Sequence, residues 1–320
     1  MKIYIPNSAF LGNIDPFLKS FDSSNPDKLD ITANKNWISI HPIVLSMVAA
    51  VGLTVDPSGI KCEKLEATSK HYLERMGLFK LLGIKSDIEI TIHEPAGRFI
   101  PLTTIIDSRG LSSFITDMIP LLHLQPDQAE PIKYVISELV RNVIEHAQSE
   151  KGAIVCAQYY KKSHTIRIGI ADTGIGIKKS INVSHNAPTN LDAIKLALTP
   201  GITGATRREG GTEFNAGAGL FFTKSIAKVN RDFFMIYSGN AMYKLLKDKS
   251  KRGMKLNADP FKDRHSENDN LPGWKGTVVG VDISLDETKD FSILLDLVRD
   301  LYIKTIKERK KIRFKRPRFI

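Results

Sequence analysis

Three short motifs constrain what this chain can fold into more than any other feature of its sequence. They occupy residues 138–146, 172–176 and 215–220, in that order. The first lies within a helical pattern, the second ends a strand-like run, and the third is a glycine loop that leads into another helical pattern. Each motif alone is a weak signal. Their order and separation together predict that the three motifs are pieces of one ligand site.

The first motif lies on an amphipathic helix that the apolar periodicity predicts over residues 131–148. Glu138, Asn142 and Glu145 fall together on the side opposite the apolar face. Mg²⁺ prefers oxygen ligands, and a carboxylate and an amide one turn apart can hold it when substrate phosphates complete the shell. Glu138 can also act as a general base on an attacking water or hydroxyl. A solvated polar helix face is the alternative.

The second motif ends a predicted strand over residues 165–171, which is rich in β-branched residues. Asp172 at the strand end, followed by Gly174 and Gly176, suits the floor of a pocket where the backbone approaches a flat ligand. The carboxylate there can accept a hydrogen bond from an exocyclic amine such as that of adenine. An ordinary Asp-Thr-Gly turn is the alternative.

The third motif places Gly217, Gly219 and Leu220 just before a predicted helix over residues 221–228. Glycines at a helix start expose backbone N–H groups, and the helix dipole adds positive potential, so the pair favours phosphate. A phosphate site on this loop completes the set of parts that a nucleotide needs. The three motifs together make ATP binding the leading hypothesis.

Two other phosphate-binding loops are excluded by their own patterns. The only register for a Walker-type loop ends at Lys224 and Ser225, and Ala218 and Thr223 stand where its two glycines are required. A Rossmann loop fails as well, because neither glycine pair follows a strand with the needed third glycine.

The combined motifs resemble the Bergerat-fold ATPases, the GHKL superfamily of gyrases, heat-shock chaperones, histidine kinases and mismatch-repair ATPases. Residues 138–146 are similar to the N box of that superfamily, residues 172–176 to its G1 box, and residues 217–220 to its G2 box. The resemblance covers residues 125–285. It implies a two-layer α/β sandwich, preceded here by a small α/β domain, with ATP and Mg²⁺ as cofactors.

The resemblance also implies a role for each motif residue. Asn142 would ligate Mg²⁺, and Asp172 would read the N6 amine of adenine. A late strand at residues 276–283 is similar to the one whose threonine completes the adenine pocket. The other residues that would border the base and phosphates are Gly174, Gly176, Gly217, Gly219, Leu220 and Thr277.

A glycine-rich stretch between the second and third motifs, residues 199–212, has few apolar anchors. A long loop of this kind inside a domain is usually functional or disordered. In the resembled superfamily this is the ATP lid, and Arg207 and Arg208 could meet the phosphates when it closes. Ordinary solvated loop charges are an equally good explanation for these two residues.

The N-terminal third alternates strand and helix patterns, which predicts a small α/β domain over residues 1–105. The order of these elements is loosely similar to that of STAS-type anti-anti-sigma domains, which partner GHKL serine kinases in bacterial switches. This resemblance implies a protein partner. The predicted elements are strands over residues 2–5, 60–65 and 88–92 and helices over residues 41–51 and 70–82.

The rest of the chain divides into three segments. Residues 106–130 are predicted to form a linker that contains a helix. Within it, residues 108–113 form a joint, and a short apolar helix follows that Pro120 ends or kinks. Residues 131–290 form the predicted ATP-binding domain, and residues 291–320 a C-terminal helix and basic tail. Residues 247–270, within the ATP-binding domain, are polar and predict an exposed loop.

Length and composition limit the number of domains, the class of ATPase and the cellular compartment. A chain of 320 residues suits two domains and leaves no room for the transducer domains of gyrase-like or chaperone-like ATPases. His71 and His93 lack the pattern that surrounds a phospho-accepting histidine, so a complete two-component kinase is not expected, and a homodimer stays open. Cys62 and Cys156 fall on predicted strands and indicate buried thiols in a reducing compartment. With no signal peptide and no transmembrane segment, a cytoplasmic protein is expected.

The positive charge concentrates at the C-terminus. The formal net charge is +11, and residues 304–318 contain nine Lys or Arg against one acidic residue, Glu308. A basic tail can neutralise the phosphates of nucleic acid or meet an anionic surface. A solvated helix end would explain it equally well.

Three functional hypotheses remain open at this point. The first is an enzyme that hydrolyses ATP or transfers its γ-phosphate to a protein, with Glu138 as base and Asn142 holding Mg²⁺. The second is an ATP-gated interaction module in which nucleotide orders the lid and recruits a partner. The third is an ATP-regulated nucleic-acid protein that works through its tail.

Overall fold

A seven-stranded antiparallel sheet forms the centre of the computed structural model of this protein. The structure describes residues 1–35, 38–63, 67–85, 99–206, 217–247, 255–285 and 291–313. Helices cover one face of the sheet, and the N-terminal residues cover the other. The expected α/β class is confirmed.

In its described residues, the N-terminal region contains two small parallel sheets and four α-helices. One sheet has the order β1-β3-β5, and the other pairs β2 with β4. The bounds are β1 Lys2–Ile5, β2 Ser8–Ala9, α1 Asp15–Lys19, β3 Leu29–Ala33, β4 Ser39–Ile40, α2 Pro42–Gly52, β5 Ile60–Cys62, α3 Ala67–Arg75 and α4 Leu78–Leu82.

The large sheet has the order β11-β10-β9-β12-β8-β7-β6, so the late strand β12 inserts between β9 and β8. Its strands and the helices around it are β6 Phe99–Ile105, α5 Ser108–Ser113, α6 Pro126–Asn142, β7 Ala153–Tyr160, β8 Thr165–Ala171, α7 Gly176–Ile181, α8 Asn190–Ala197, α9 Gly219–Val229, β9 Phe234–Gly239, β10 Ala241–Leu245, β11 His265–Asn268, β12 Trp274–Ser284 and α10 Phe291–Arg313.

Alternation along the strands divides the core into two layers of side chains. On β8, Ile166, Ile168 and Ile170 point to the helical face, whereas Ala171 packs in the N-terminal layer. This period of two is what a strand buried on both faces requires. Both layers are almost fully buried, so the sheet is sandwiched rather than exposed on one side.

Helix α2 makes the closest contact of the N-terminal region with the sheet. Its N-cap is His41, whose Nδ1 accepts the backbone N–H of Ile43, and whose Nε2 lies 3.1 Å from the Asp282 carboxylate on β12. Ser46 donates to the backbone carbonyl of Gly169 on β8. A side chain at Gly169 would place its Cβ only 2.2 Å from the Ile43 nitrogen. Glycine at this position therefore sets how closely α2 approaches the sheet.

Gly169→Ala should lower the free energy of unfolding by about 3 kcal/mol, the upper end of the range for overpacked cores. The new methyl group meets backbone atoms of α2, which cannot rotate away as a side chain would. Chemical denaturation measures the change. Gly273→Ala is the matched control, because nothing lies within 4 Å of its Cβ position. Equal stability of the two variants would contradict the tight packing.

One predicted domain boundary and three predicted elements differ from the structure. The strand Phe99–Ile105 pairs with β7, so it belongs to the large sheet and not to the predicted N-terminal domain. Residues 108–113 form helix α5 and not a joint. The predicted helix over residues 70–82 is two helices, because Gly77 adopts a left-handed φ of 79° between them. The described part of residues 247–270, which starts again at residue 255, includes the edge strand β11.

Some predictions lie outside the described residues, among them the strand at residues 88–92, part of the predicted lid and the end of the basic tail from residue 314. The likeness to STAS-type domains and the remaining domain boundaries stay predictions. Cys156 is buried as expected, while Cys62 is only partly buried. Within the described ranges, no helix combines the length and apolar content that a membrane crossing requires.

Candidate functional site

A cavity of about 380 Å³ opens on the helical face of the sheet, between α6, α7 and the start of α9. It brings together residues from all three sequence motifs and from the late strand. The predicted site residues that line it are Glu138, Asn142, Asp172, Gly176, Gly217, Gly219, Leu220 and Thr277. Gly174 is the exception, since it lies behind the cavity wall.

Helix α6 supplies the polar side of the cavity. It starts at Pro126, earlier than the sequence predicted, and continues as a wider π-helical turn, Val143–Ala147, that ends at Gln148 with a φ of 49°. Such turns are frequent at functional sites. Glu138, Asn142 and Glu145 all reach the cavity, while the apolar face of the helix is buried in the core.

Asp172 lines the cavity and is only 1% exposed. Its carboxylate accepts the backbone N–H of Gly174 at 2.7 Å, and its backbone carbonyl accepts the indole N–H of Trp274 at 3.0 Å. Burial raises the pKa of the Asp172 carboxyl to about 6, against the lowering effect of backbone hydrogen bonds from Gly174 and Thr277. The carboxylate is thus fixed in direction and ready to accept a ligand N–H.

Two glycines around Asp172 are required by close backbone contacts. A Cβ at Gly174 would lie 2.0 Å from the Ala147 carbonyl oxygen, and one at Gly276 would lie 2.2 Å from the Asp172 carbonyl oxygen. Gly276 also has a φ of 104°, which other residues rarely adopt. These two glycines therefore let three segments of backbone meet around the carboxylate.

The N-terminus of α9 forms another part of the cavity wall. Among the described residues no side chain caps this helix, and Gly217 before it has a φ of 63° and packs against the Ile202 carbonyl. A Cβ at Gly219 would lie 2.5 Å from the Glu138 carboxylate and 3.5 Å from the Asn142 amide nitrogen. The helix N-terminus, the carboxylate and the amide thus converge where phosphates would bind.

The environment of Glu138 suits a proton acceptor. Burial raises the pKa of this carboxyl, the guanidinium of Arg141 lowers it, and Glu145 raises it further. The Arg141 guanidinium lies 3.7 Å from the carboxylate, and the Glu138 side chain remains 25% exposed. A carboxylate that is more basic than usual and open to the cavity is what general-base catalysis needs.

The side-chain amide of Asn142 is compatible with the expected role as an Mg²⁺ ligand, because it is not fully hydrogen-bonded. Its Nδ2 is buried without a hydrogen-bond partner in the part of the chain that the structure describes. Because the two ends of an amide are assigned from such contacts, the side chain can equally turn its oxygen to the cavity. The described ranges hold no cluster of three or more His, Cys, Asp or Glu for a metal. Mg²⁺ keeps several waters and takes few protein side chains beside substrate phosphates, so it does not need such a cluster.

Several functional positions carried no signal in the sequence. Ser238 on β9 accepts the backbone N–H of Ile177 and donates to the Gly276 carbonyl, so it joins α7 to the late strand. Gly276 precedes Thr277, and its backbone lies so close to Asp172 that a side chain would not fit. That need for glycine is the signal by which the sequence could have identified it. Arg207 and Arg208 of the predicted lid lie outside the described residues. The apolar wall of the cavity, which could not be told from ordinary core, includes Val143, Ile170, Ile177, Ile181 and Val279.

The stability contribution of Asp172 should fall as the pH rises. Because its folded-state pKa is raised from 3.8 to about 6, the contribution is fully present below about pH 4 and is lost as the pH rises through 6. Relative to Asp172→Asn, the wild type should lose about 3 kcal/mol over that range, since each pKa unit is worth about 1.4 kcal/mol. Guanidinium unfolding of both proteins at a series of pH values measures this. A constant difference would contradict it.

The cavity is thus lined by the buried carboxyl of Asp172, by Glu138 and Asn142, and by the glycines at the N-terminus of α9. Residues 106–230 match the family model of the histidine kinase-like ATPase domain. This stretch of the chain is therefore a histidine kinase-like ATPase domain, a class that binds ATP. The match begins within the segment predicted as a linker. No curated protein matches the chain in a sequence search.

Proposed function

We propose that this protein is an Mg-ATP-dependent regulatory enzyme that hydrolyses ATP or transfers its γ-phosphate to a protein. One observation carries the proposal. A single cavity is lined by the buried Asp172 and by Glu138 and Asn142, which lie beside the N-terminus of α9. A site for binding alone has no use for a basic carboxylate beside the terminal phosphate.

Each residue that lines the cavity has its own role in this proposal. Asp172 accepts a hydrogen bond from the exocyclic amine of adenine, and the apolar wall packs against the base. The backbone N–H groups at Gly219 and Leu220 face the phosphates, with Asn142 as the metal ligand. Bound Mg²⁺ would neutralise charge on the phosphate oxygens.

Glu138 takes the proton from the attacking oxygen of water or of a protein hydroxyl. That oxygen forms a bond to the γ-phosphorus as the bond to the β–γ bridging oxygen breaks, and ADP leaves with the electron pair. The products are ADP with either inorganic phosphate or a phosphoprotein. The rest of the chain then responds to which nucleotide is bound.

A non-catalytic ATP-gated switch is the second candidate. Its support is the turn at residues 173–175, which holds Asp172 on the cavity side and lines a separate cleft on the side of the N-terminal elements. A nucleotide that fixes this turn could alter the surface presented to a partner.

Incubation with Mg²⁺ and γ-labelled ATP, beside Asn142→Ala, separates the two candidates. Asn270→Ala is the matched control, because this exposed side chain lies outside the cavity. Free phosphate and protein-bound label are counted separately, and ATP affinity is titrated in parallel. Turnover that disappears only in Asn142→Ala supports the enzyme. Intact binding without turnover supports the switch, and no binding by the wild type overturns both.

A further inference from the structure

A second and larger cleft lies on the opposite side of the turn at residues 173–175. Its volume is about 1180 Å³, roughly three times that of the nucleotide cavity. One wall is the end of α2 with the following loop and α4, and the other is this turn together with residues 148–151. The N-terminal elements and the ATPase domain thus build the cleft jointly. No part of the proposed ATP chemistry uses it.

The rim of the cleft is basic. Lys80, Lys151, Lys179 and Lys275 come from four separate places in the chain, and all four side chains are exposed. None of them forms a side-chain hydrogen bond or ion pair within the described ranges. Two carboxylates oppose them, Asp56 and Glu150, and Asp56 already accepts hydrogen bonds from Ser58. The lysines are therefore left with unmatched positive charge.

The floor of the same cleft is apolar. Leu53, Leu81 and Ile175 are partly exposed in it, and Val55 and Leu82 are buried beneath. A phosphate backbone or a small anion could pair with the lysines but would leave this floor uncovered. A peptide segment that alternates acidic and apolar side chains would satisfy both features at once. The volume of the cleft has room for several residues.

We propose that this lysine cleft, defined by Lys80, Lys151, Lys179 and Lys275, docks an acidic, partly apolar segment of a protein partner. The charge complementarity and the apolar floor together select this occupant. The docking goes beyond the proposed ATP chemistry and does not require it, so the two can be tested separately. The contact would lie on elements from both halves of the chain.

The test uses a fluorescein-labelled peptide of about 12 residues in which glutamates alternate with leucines and serines, the length of a docked linear segment. Binding is measured by fluorescence anisotropy on the full chain without nucleotide. Lys80→Glu combined with Lys151→Glu should weaken binding at least about tenfold. The matched control reverses Lys161 and Lys162, which are equally exposed but lie outside the cleft. A peptide with lysine in place of glutamate should show the opposite preference.

Three results would overturn the proposal. The first is no binding of the peptide up to about 1 mM, a free energy of only about −4 kcal/mol. The second is equal binding of a version with serine at every leucine, which would reduce the cleft to unspecific charge attraction. The third is tighter binding of oligodeoxythymidine that is lost on the same lysine reversals, which would identify a nucleic-acid site. Thermal melts of each variant verify that the fold is intact.

Discussion

Glu138→Gln should lower the rate of ATP turnover by a factor of about 10² to 10⁴ and leave nucleotide affinity nearly unchanged. The glutamine keeps the size and the hydrogen-bonding reach of the side chain but cannot accept a proton. Burial and Glu145 raise the pKa of Glu138, so its carboxylate is a stronger base than an exposed one. Steady-state phosphate release and a separate ATP titration give the two quantities.

Glu130→Gln is the matched control for this prediction. Glu130 lies on the same helix, two turns earlier, and its carboxylate pairs with Lys133 on the surface. Its loss should leave turnover within about a factor of two, since exposed ion pairs contribute little. Normal turnover in Glu138→Gln would show that another group accepts the proton, and a parallel loss of binding would show that Glu138 holds the nucleotide.

Asp263→Ala should lower the free energy of unfolding by about 3 to 5 kcal/mol, the cost of leaving a buried charge without its partner. The Nζ atom of Lys224 lies 2.6 Å from the Asp263 carboxylate, and both side chains are fully buried. Lys228 approaches the same carboxylate at 4.0 Å, and Asn257 donates to it at 3.0 Å. Burial lowers the pKa of Lys224, and Asp263 opposes that effect, so the alanine variant also loses what keeps the lysine charged.

The double variant Lys224→Met with Asp263→Leu tests whether the unpaired charge or the lost packing destabilises Asp263→Ala. Removing both charges together should recover most of the loss, because apolar residues of similar volume replace buried ion pairs at little cost. Asp269→Ala on the exposed surface is the control and should change stability by less than about 0.5 kcal/mol. Urea denaturation measures all three variants. If the double variant is as unstable as Asp263→Ala, packing and not charge explains the effect.

The same ion pair explains why a lysine next to the glycine loop is not a phosphate ligand. The sequence excluded a Walker loop from its missing glycines, and the structure shows Lys224 turned away from the cavity to Asp263. Its partner lies in a segment that the sequence predicted as exposed loop. A contact between residues so far apart in the chain has no local pattern, and single-sequence periodicity could not reveal it.

The fold class and most of the site followed from local chemistry. The helix with Glu138 and Asn142, the strand that ends at Asp172, and the loop at Gly217 each have a periodicity or a glycine requirement that acts over a few residues. Ser238 lacked such a signal, since its role depends on two strands and a helix meeting. The packing of α2 on Gly169 was also missed, because a glycine within a strand pattern does not say which element approaches it.

Because the N-terminal residues cover one face of the large sheet, the two halves of the chain should unfold together. A fragment starting at residue 106 would lack β6 and uncover Ile154, Cys156, Tyr237 and Met242, all now fully buried beneath N-terminal residues. Such a fragment would aggregate through this apolar surface before it could be assayed. Conversely, any ligand that binds the folded ATPase domain stabilises the N-terminal half by the same free energy, because neither half can melt while the other keeps its core. Hydrogen exchange at α2 would then report occupancy of a cavity on the far side of the sheet.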